Sequence, residues 1–434
     1  MAIRHFSKNK QEENDMKKKV LLTAGMAALM TAGMAMTAFA GWEEHNGSWY
    51  FKNSKGEFVT DEWEQSGDFW YYLGDDGRML TNTLIDDMYY VDANGARTVN
   101  GWQWLTDEWD DDDEGAWRYF GANGKIYTDG MKQINGVYYH FDDTKMSTGW
   151  VKEGDYTYYF KEDGSRTSGW KWLPENDEDS WNEYWYYFSA AGKLTTSATK
   201  DISGVDYAFD EQGRMLTGWV DTDSYTSTGT DNLRVSDVDD LRYHDDNGAA
   251  VNGWMLLDSP VDMESNYYYF RDGRAYSTKF RTTIPTGCEY GIVKIDNDYY
   301  CFDEDGKLVT GIVDSTAGPM YFDTENGKMR TGRVTVYTDD HYGETFFFKE
   351  SGSIGVRGVG ITGVDGSYLY EKGQLVCADD GMKYEWVNVG KKDYVVNESG
   401  KIKTSGTAKD ADGYKYTITK NANGGYTIKK EYVD

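Results

Sequence analysis

Residues 147–170 read STGWVKEGDYTYYFKEDGSRTSGW, a stretch that begins and ends with a small hydroxyl residue followed by Gly-Trp. Between the two Gly-Trp pairs lie a polar turn, the aromatic triplet Tyr158-Tyr159-Phe160 and an Asp-Gly pair at 163–164. Aromatic residues favour strands, and Asp-Gly favours tight turns that need a positive φ. The stretch therefore predicts a β-hairpin followed by a short connector, after which the same pattern starts again.

The glycine that closes this unit recurs along the chain, and Asn or Asp often precedes it. The shortest steps between successive copies are 18 to 21 residues, and the longer steps contain insertions. A single hairpin is marginal in water, whereas stacked hairpins cover one another's aromatic faces. We therefore expect an all-β solenoid of stacked β-hairpins, about fifteen in number. The closing glycines are Gly56, Gly77, Gly95, Gly124, Gly164, Gly192, Gly213, Gly248, Gly273, Gly306, Gly327, Gly352, Gly373 and Gly400.

The composition agrees with this architecture. Aromatic residues make up 16% of the 434 residues, and Tyr alone contributes 36. Gly contributes 49 residues and Pro only 4. This composition argues against a large core of Leu, Val and Ile, and it favours many short strands and turns built around aromatic rings.

The first forty residues have a different pattern. Three lysines at 17–19 precede an apolar run over 20–37, and Ala38-Phe39-Ala40 closes the run. The pattern predicts that 1–40 is an N-terminal extension and signal peptide, with Met16 as the start of the signal and cleavage after Ala40. An uncleaved membrane anchor is the alternative, since the run is long enough to span a bilayer.

The charge of the chain restricts its partners. The formal net charge is −29, and it becomes −32 without residues 1–40, because these hold six basic and three acidic residues. A chain this acidic repels phosphate backbones, so we expect no nucleic-acid partner. No second hydrophobic segment follows, so we expect no membrane partner after signal cleavage. The predicted location is secreted and associated with the cell wall or cell surface.

Two stretches carry a family resemblance: GWEEHNGSWYFKNSKGEF at 41–58 and GWVKEGDYTYYFKEDG at 149–164. They resemble the bacterial cell-wall-binding repeat, of the choline-binding or glucan-binding type. The resemblance extends over essentially all of 41–434, and 392–406 is a copy that has lost its Trp residues. It implies a superhelix of hairpins. Relatives of this repeat bind choline or α-glucans, or form the receptor-binding arms of large toxins.

The resemblance also implies where a ligand sits. In choline-binding members, the Gly-Trp tryptophan, the first aromatic of the triplet and an aromatic of the neighbouring hairpin wall a site between hairpins. A quaternary ammonium over such ring faces gains about 0.5–2 kcal/mol per contact. Carried over to this chain, the candidate pairs are Trp42 with Trp49, Trp63 with Trp70, Trp102 with Trp117, Trp150 with Tyr158, and Trp170 with Trp185.

The pattern weakens along the chain. Trp63 lacks the preceding Gly, and beyond residue 300 the pairs Gly311-Ile312 and Gly332-Arg333 replace Gly-Trp. We therefore expect well-kept repeats with acidic insertions in 41–270 and degenerate repeats in 271–434, with ligand sites only up to about residue 270. Long insertions follow the Gly-Trp pair at Trp102, Trp170, Trp219 and Trp254.

The insertions at 109–115 and 174–180 are acidic, as is the sequence around Asp237, Asp239 and Asp240. Clustered carboxylates suit calcium, but none of these stretches has the alternating ligand pattern of an EF-hand loop. The alternative is solvated loop tips that keep the protein soluble. We predict no metal site and no cofactor.

Cysteine and histidine usage gives no catalytic signature. Cys288 and Cys301 are placed to pair across one hairpin, which would leave Cys377 free. The sequence contains no H-E-x-x-H, no G-x-S-x-G and no P-loop. Wall hydrolases of this family usually carry a separate catalytic domain, and here the repeats begin at Gly41. We therefore expect no enzymatic activity. The four histidines after residue 40 are scattered: His45, His140, His244 and His341.

The sequence thus predicts a non-catalytic secreted surface protein that binds a bacterial cell-wall polymer through aromatic pockets between hairpins. Its ligand would be teichoic-acid choline or another glycan. Two alternatives stay open. One is an adhesin or surface scaffold whose aromatics are structural and whose acidic loops bind a protein partner. The other is an α-glucan-binding module. Open edges at the terminal repeats would allow a homodimer.

Overall fold

The computed structural model describes residues 41–433 except 107–114, 177–179, 230–234, 236–237, 338–342 and 422–423. The expected signal peptide, most of the acidic insertion at 109–115, Asp237 and His341 lie outside the described residues. The chain divides into two compact units. The first is Met1–Glu183 with Tyr187–Leu194, and the second is Tyr184–Tyr186 with Thr195–Asp434.

The first unit contains short strands arranged as hairpins, and β15 crosses into the second unit. The strands are β1 (Trp42–His45), β2 (Ser48–Phe51), β3 (Glu62–Ser66), β4 (Phe69–Leu73), β5 (Thr83–Ile85), β6 (Tyr89–Val91), β7 (Gly101–Leu105), β8 (Ala116–Phe120), β9 (Gly130–Ile134), β10 (Val137–Asp142), β11 (Lys145–Met146), β12 (Gly149–Glu153), β13 (Tyr156–Phe160), β14 (Gly169–Pro174) and β15 (Glu183–Phe188).

The second unit continues the same arrangement. Its strands are β16 (Ala198–Ile202), β17 (Val205–Phe209), β18 (Gly218–Asp221), β19 (Thr226–Ser227), β20 (Leu241–His244), β21 (Gly253–Asp258), β22 (Ser265–Arg271), β23 (Arg274–Ala275), β24 (Gly291–Ile295), β25 (Asp298–Phe302), β26 (Leu308–Val309), β27 (Gly311–Val313), β28 (Met320–Phe322), β29 (Gly332–Tyr337), β30 (Gly343–Phe348), β31 (Gly363–Asp365), β32 (Tyr368–Glu371), β33 (Gln374–Leu375), β34 (Tyr384–Val389), β35 (Lys392–Asn397), β36 (Gly406–Lys409), β37 (Tyr414–Lys420) and β38 (Tyr426–Tyr432).

The predicted all-β stack of hairpins is confirmed. The described strands form fifteen small sheets, most of them one antiparallel hairpin each. Within the described ranges there is no α-helix, and thus no helix long and apolar enough to cross a membrane. The division into well-kept repeats at 41–270 and degenerate repeats at 271–434 stays a prediction.

Several hairpins are closed by a tight two-residue tip, and the tip sets the register of the two strands. In the first hairpin Asn46 and Gly47 form the tip with φ of 51° and 80°, a left-handed pair that matches the twist of the strands. His45 therefore pairs with Ser48, and Trp42 pairs with Phe51 three residues further from the tip. In the second hairpin, the pair of Trp63 and Tyr72 likewise lies three residues further from the tip than the pair closest to it.

The predicted Gly turn follows the second strand of most hairpins; after β10 the turn is made by Asp143 and Thr144 instead. At the third hairpin the Gly95 amide donates to the carbonyl of Asp92 at 2.9 Å, and Gly95 has a φ of 79°. The Asp92 carboxylate accepts from the amides of Asn94 and Ala96 at 2.8 and 3.0 Å. Asp at this position stabilises the turn because its side chain satisfies backbone donors within the turn.

The residue two places after the turn glycine links each hairpin to the one before it. The amide of Met79 donates to the carbonyl of Trp49 at 2.8 Å, and that of Arg97 donates to Trp70 at 2.8 Å. Leu194 donates to Thr157 in the same way at 2.9 Å. Successive hairpins are therefore joined by backbone hydrogen bonds as well as by ring packing.

The most deeply buried side chains include one at or near the end of most second strands, and most of these are Phe with no exposed surface. His244 occupies this position in β20, where it bridges to Ala250 as Phe209 bridges to Met215. It is 1% exposed, its Nδ1 donates to the Gly248 carbonyl at 2.9 Å, and its Nε2 has no partner among the described residues. The Phe residues are Phe120, Phe141, Phe160, Phe188, Phe209, Phe302, Phe322 and Phe348.

The cysteines do not form the pair that spacing suggested. All three are free thiols. Cys301 is buried in β25, where it pairs with Ile292, whereas Cys288 precedes β24 and packs only partly buried against the same apolar cluster. Burial raises the pKa of the Cys301 thiol, which keeps it protonated and unreactive.

The buried histidine makes the stability of the second unit depend on pH. Burial lowers the pKa of His244 in the folded chain, so the neutral ring is favoured there. Its contribution is fully present above the unfolded pKa of about 6.5 and is lost as the pH falls towards the lowered folded value. Between pH 7.5 and 5 we expect His244→Phe to lose less unfolding free energy than the parent chain in urea unfolding, because the variant has no buried imidazole to protonate. Equal losses in the two proteins would contradict the assignment.

Candidate functional site: pockets between hairpins

The space between consecutive hairpins is bounded by four side-chain positions, which the first pair of hairpins illustrates. Trp42 and Trp49 lie on one face of the first hairpin, two residue pairs apart. Tyr71, the middle residue of the next triplet, reaches back so that its ring centroid is 5.3 Å from that of Trp42. Met79 bonds to the Trp49 backbone and supplies the fourth position. These four residues are called the Trp42 pocket.

The second pair of hairpins repeats the arrangement with a different fourth residue. Trp63 and Trp70 share one face of the β3–β4 hairpin, and Tyr89 of the next hairpin lies 5.4 Å from Trp63. The fourth position is Arg97, and its guanidinium carbon lies 5.5 Å from both tryptophan rings and 5.6 Å from the Tyr89 ring. The structure thus brings the candidates Trp63 and Trp70 together around a cation. These four residues are called the Trp63 pocket.

A third set is complete further along the first unit. Trp102 pairs with Tyr119 across the β7–β8 hairpin, and Trp117 lies on the same face. Tyr139 of the following hairpin lies 5.0 Å from Trp102. Met146 holds the fourth position and, like Trp102 and Tyr139, packs against the buried cluster around Tyr119 and Phe141. Trp102, Trp117, Tyr139 and Met146 are called the Trp102 pocket.

The pair Trp150 and Tyr158 is arranged differently. Trp150 pairs with Tyr159, whereas Tyr158 pairs with Val151 and points to the other face of the hairpin, where it is 7% exposed. Thr157 stands at the position that Trp49 and Trp70 hold in their hairpins. The structure therefore does not bring Trp150 and Tyr158 onto one face, and Thr157 removes one aromatic wall.

The last candidate pair lies at the division between the two units. Trp170 contacts Tyr187 with ring centroids 5.2 Å apart, and both belong to the first unit. Trp185 is 43% exposed and belongs to the part of β15 in the second unit. The pocket made by Trp170 and Trp185 stays a prediction.

Two tryptophans of the second unit, Trp219 and Trp254, differ in their exposure to solvent. Trp219 is 2% exposed, and its Nε1 donates to the Asp258 carbonyl at 3.1 Å, so it belongs to the core. Trp254 is 37% exposed, and its ring lies 4.8 Å from that of Tyr300. Tyr300 is only 8% exposed, and it lies beyond the limit of about residue 270 expected for ligand sites.

Several pocket residues were not singled out from the sequence: Tyr71, Tyr89, Tyr139, Met79, Arg97 and Met146. The signal for them is positional. The tyrosines are the middle members of their triplets, and the other three follow a turn position by two residues. Aligning the units on the turn glycine would have found Met79 and Arg97, whereas Met146 follows a turn at Asp143 and Thr144 that has no glycine.

Carboxylates lie near the pocket rings. The pKa of the Tyr71 phenol is raised by burial and by the charge of Asp92, and that of Tyr139 by burial and by Asp163. Nearby carboxylates favour a positive ligand over a neutral one at these rings. The chain as a whole is strongly acidic, which acts in the same direction.

A second aromatic surface lies nearer the hairpin tips. Trp104 pairs directly with Trp117, with ring centroids 5.6 Å apart, and is 51% exposed. Trp172 has the same place after its Gly-Trp pair, is 50% exposed, and donates from Nε1 to Glu183 at 3.0 Å. These rings offer open faces next to the long hairpin tips.

Comparison with known proteins identifies the repeat. Residues 57–96 match a family model described as the choline-binding repeat. This segment contains the three rings of the Trp63 pocket and ends one residue before Arg97. The resemblance seen in the sequence is confirmed for this segment: residues 57–96 match the choline-binding repeat.

Among the relatives is Glucosyltransferase-S of Streptococcus mutans, which is 26% identical over 357 residues. That match covers 79% of this chain and 21% of the relative, so the chain spans about a fifth of the relative's length. Two similar structures come from Streptococcus pneumoniae. CbpJ matches with a TM-score of 0.40 and 18% identity, over 67% of this chain and all of CbpJ. The choline-binding domain of CbpL has a TM-score of 0.35 and 21% identity, over 50% of this chain and 98% of that domain.

Gly95, the turn glycine beside Met79 of the Trp42 pocket, adopts a positive φ and also leaves room for the Met79 side chain. Substitutions can separate these two roles. A Cβ on Gly95 would lie 2.7 Å from the sulfur of Met79, whereas a Cβ on Gly47, with nearly the same φ, would meet nothing within 4 Å. Both Ala variants strain a left-handed backbone, by about 1–2 kcal/mol. We expect Gly95→Ala to lose about 1 kcal/mol more than Gly47→Ala in urea unfolding, because Met79 must move. Equal losses would show that Met79 does not pack tightly under the turn.

Proposed function

We propose that this chain is a non-catalytic, exported binding protein that attaches to the choline groups of a bacterial cell-wall polymer of the teichoic-acid type. The ligand sites are the Trp42 and Trp102 pockets. The observation that carries the proposal is the Trp63 pocket, where three rings of the same arrangement surround a cation. The other two pockets have neutral methionines at the fourth position and so leave their ring faces to an external cation.

The chemistry of choline matches such a pocket. A quaternary ammonium cannot donate a hydrogen bond, so ring faces and nearby carboxylates are its natural partners. One such site is weak, but several sites on one chain bind a polymer with many choline groups far more tightly than a single group. This accounts for the use of repeated pockets instead of one deep cavity.

The proposal has no catalytic step. Among the described residues no group of three or more His, Cys, Asp and Glu side chains is arranged to hold a metal ion. Export rests on the sequence of residues 1–40, and attachment at the cell surface rests on the repeat.

Choline titration of the full chain, followed by tryptophan fluorescence and calorimetry, tests the proposal. We expect a saturable signal on choline binding. Trp42→Ala should remove the part of this signal that comes from the Trp42 pocket, because one of the aromatic walls that contact the cation is lost. Trp181→Ala is the matched control, since Trp181 is 96% exposed and belongs to none of the three pockets. Absence of any saturable choline signal would contradict the proposal, as would an equal loss in both variants.

A second candidate is glycan binding through the exposed rings near the hairpin tips. Trp104 and Trp172 present flat apolar faces, and Glu183 lies beside Trp172 as a hydrogen-bond acceptor. Flat rings next to carboxylates suit sugars, whose faces are apolar and whose edges carry hydroxyls. The match to a glucosyltransferase agrees with this candidate.

Titration with an α-glucan oligosaccharide separates the two candidates. If the exposed rings bind glycan, Trp104→Ala combined with Trp172→Ala should abolish the response, whereas Trp42→Ala should leave it unchanged. A glucan response that requires Trp42 would place the sugar in the pockets instead. Silence towards both choline and glucan would favour the scaffold alternative, with a protein partner at the acidic loops.

A further inference from the structure

The fourth position of the pockets varies in chemistry although its place in the fold is constant. In the first unit it is Met, Arg, Ile or Leu, and the two arginines are exceptions to an otherwise apolar set. The positions are Met79, Arg97, Ile126, Met146, Arg166 and Leu194, each two residues after a turn or bridging back to a second strand.

Three rings of the Trp63 pocket surround the guanidinium of Arg97, and the residue as a whole is half-buried. Its guanidinium is almost equally far from Trp63, Trp70 and Tyr89, at 5.5 to 5.6 Å. Its backbone amide donates to the Trp70 carbonyl, so the side chain starts at the pocket wall. A Cβ on Gly124 would lie 2.7 Å from Arg97 Nε, which means that the next turn covers the stem of the side chain.

The contacts of Arg97 are those of a bound cation and not of an ion pair. Its Nε is buried without a hydrogen-bond acceptor among the described residues. The ring faces are therefore its main compensation for lost water. A guanidinium stays charged at every physiological pH, so the charge that Arg97 brings to the pocket does not depend on pH.

We infer that Arg97 is an internal ligand that closes the Trp63 pocket to external cations, and that the residue at this fourth position determines which pockets bind. The inference rests on the proposed choline-binding function. A cation attached to the wall of its own pocket competes as an intramolecular ligand, at an effective concentration in the millimolar range or above. A weakly bound external ammonium does not displace it.

Arg166 is a second, more open example. Its guanidinium lies 4.1 Å from the centroid of the Tyr138 ring, and Nη1 contacts the sulfur of Met131 at 3.2 Å. A surface cleft of about 330 Å³ opens beside Arg166, however, so this cation is only partly enclosed. Arg97 is therefore the better residue for a test.

The test is the stoichiometry of choline binding to the full chain. Arg97→Met should add one choline equivalent per chain, since it copies Met79 and Met146. Met79→Arg should remove one, and Arg97→Lys should leave the number unchanged because it keeps a cation in the pocket. Adding Trp70→Ala to Arg97→Met should abolish the gained site. Circular dichroism of each variant checks that the fold is retained.

Two results would overturn the inference while leaving the proposed function intact. One is choline binding by the parent chain with no additional equivalent in Arg97→Met. The other is a loss of parent binding in Trp63→Ala, which would show that the Trp63 pocket is already open. If no protein in the set binds choline, the proposed function fails, and a second measurement decides the position of Arg97.

That second measurement uses the chain labelled with ¹⁵N-arginine and needs no ligand. An Arg97 Nε–H enclosed by three rings should resonate at a position shifted by ring currents, and Trp70→Ala should remove the shift. A shifted resonance supports occupation of the pocket by Arg97. An Arg97 signal that coincides with exposed arginines and is unaffected by Trp70→Ala overturns the inference.

Discussion

The contact between a turn glycine and the side chain beneath it holds the hairpins in their spacing. Gly95 lies over Met79, Gly124 over Arg97, and Gly327 over Leu308, each time because the glycine has no Cβ where that side chain passes. The same glycines have positive φ, so the turn and the packing impose the same choice of residue. In each of the three named pockets the fourth residue passes beneath such a glycine, Met146 lying beneath Gly164.

The aromatic rings serve as core and as pocket wall at once. Trp102 contacts Tyr119 on its own hairpin and Tyr139 on the next, and the rings stand edge to face at 5.0 Å. Such geometry is favourable by itself, since the positive edge of one ring meets the negative face of another. The hairpins therefore stack without a ligand, and the ring faces that remain uncovered are available for binding. A thin stack has no room for separate structural and functional layers.

Much of the fold could be predicted from the sequence because its signals are local. Gly-Trp, the triplet and the closing glycine each report on a few neighbouring residues, and these define the hairpin and its turn. The face on which a triplet residue lies is not local in this sense. It depends on the strand register, which the two-residue tip sets, so Thr157 rather than Tyr158 faces Trp150's side of the hairpin. Burial of Trp219 depends on contacts with Tyr268 and Phe270 from the next hairpin.

Arg97 shows why pocket chemistry is harder to predict than pocket geometry. At its position the backbone bridges to Val91 just as Met79 bridges to Leu73, so the fold accepts a long side chain of either kind. Met and Arg have similar reach, but one leaves the pocket neutral and the other fills it with charge. A single residue thus changes what a pocket can bind without changing the hairpins around it. In a repeat protein, where each unit is stabilised mainly by its neighbours, such changes can differ from one pocket to the next.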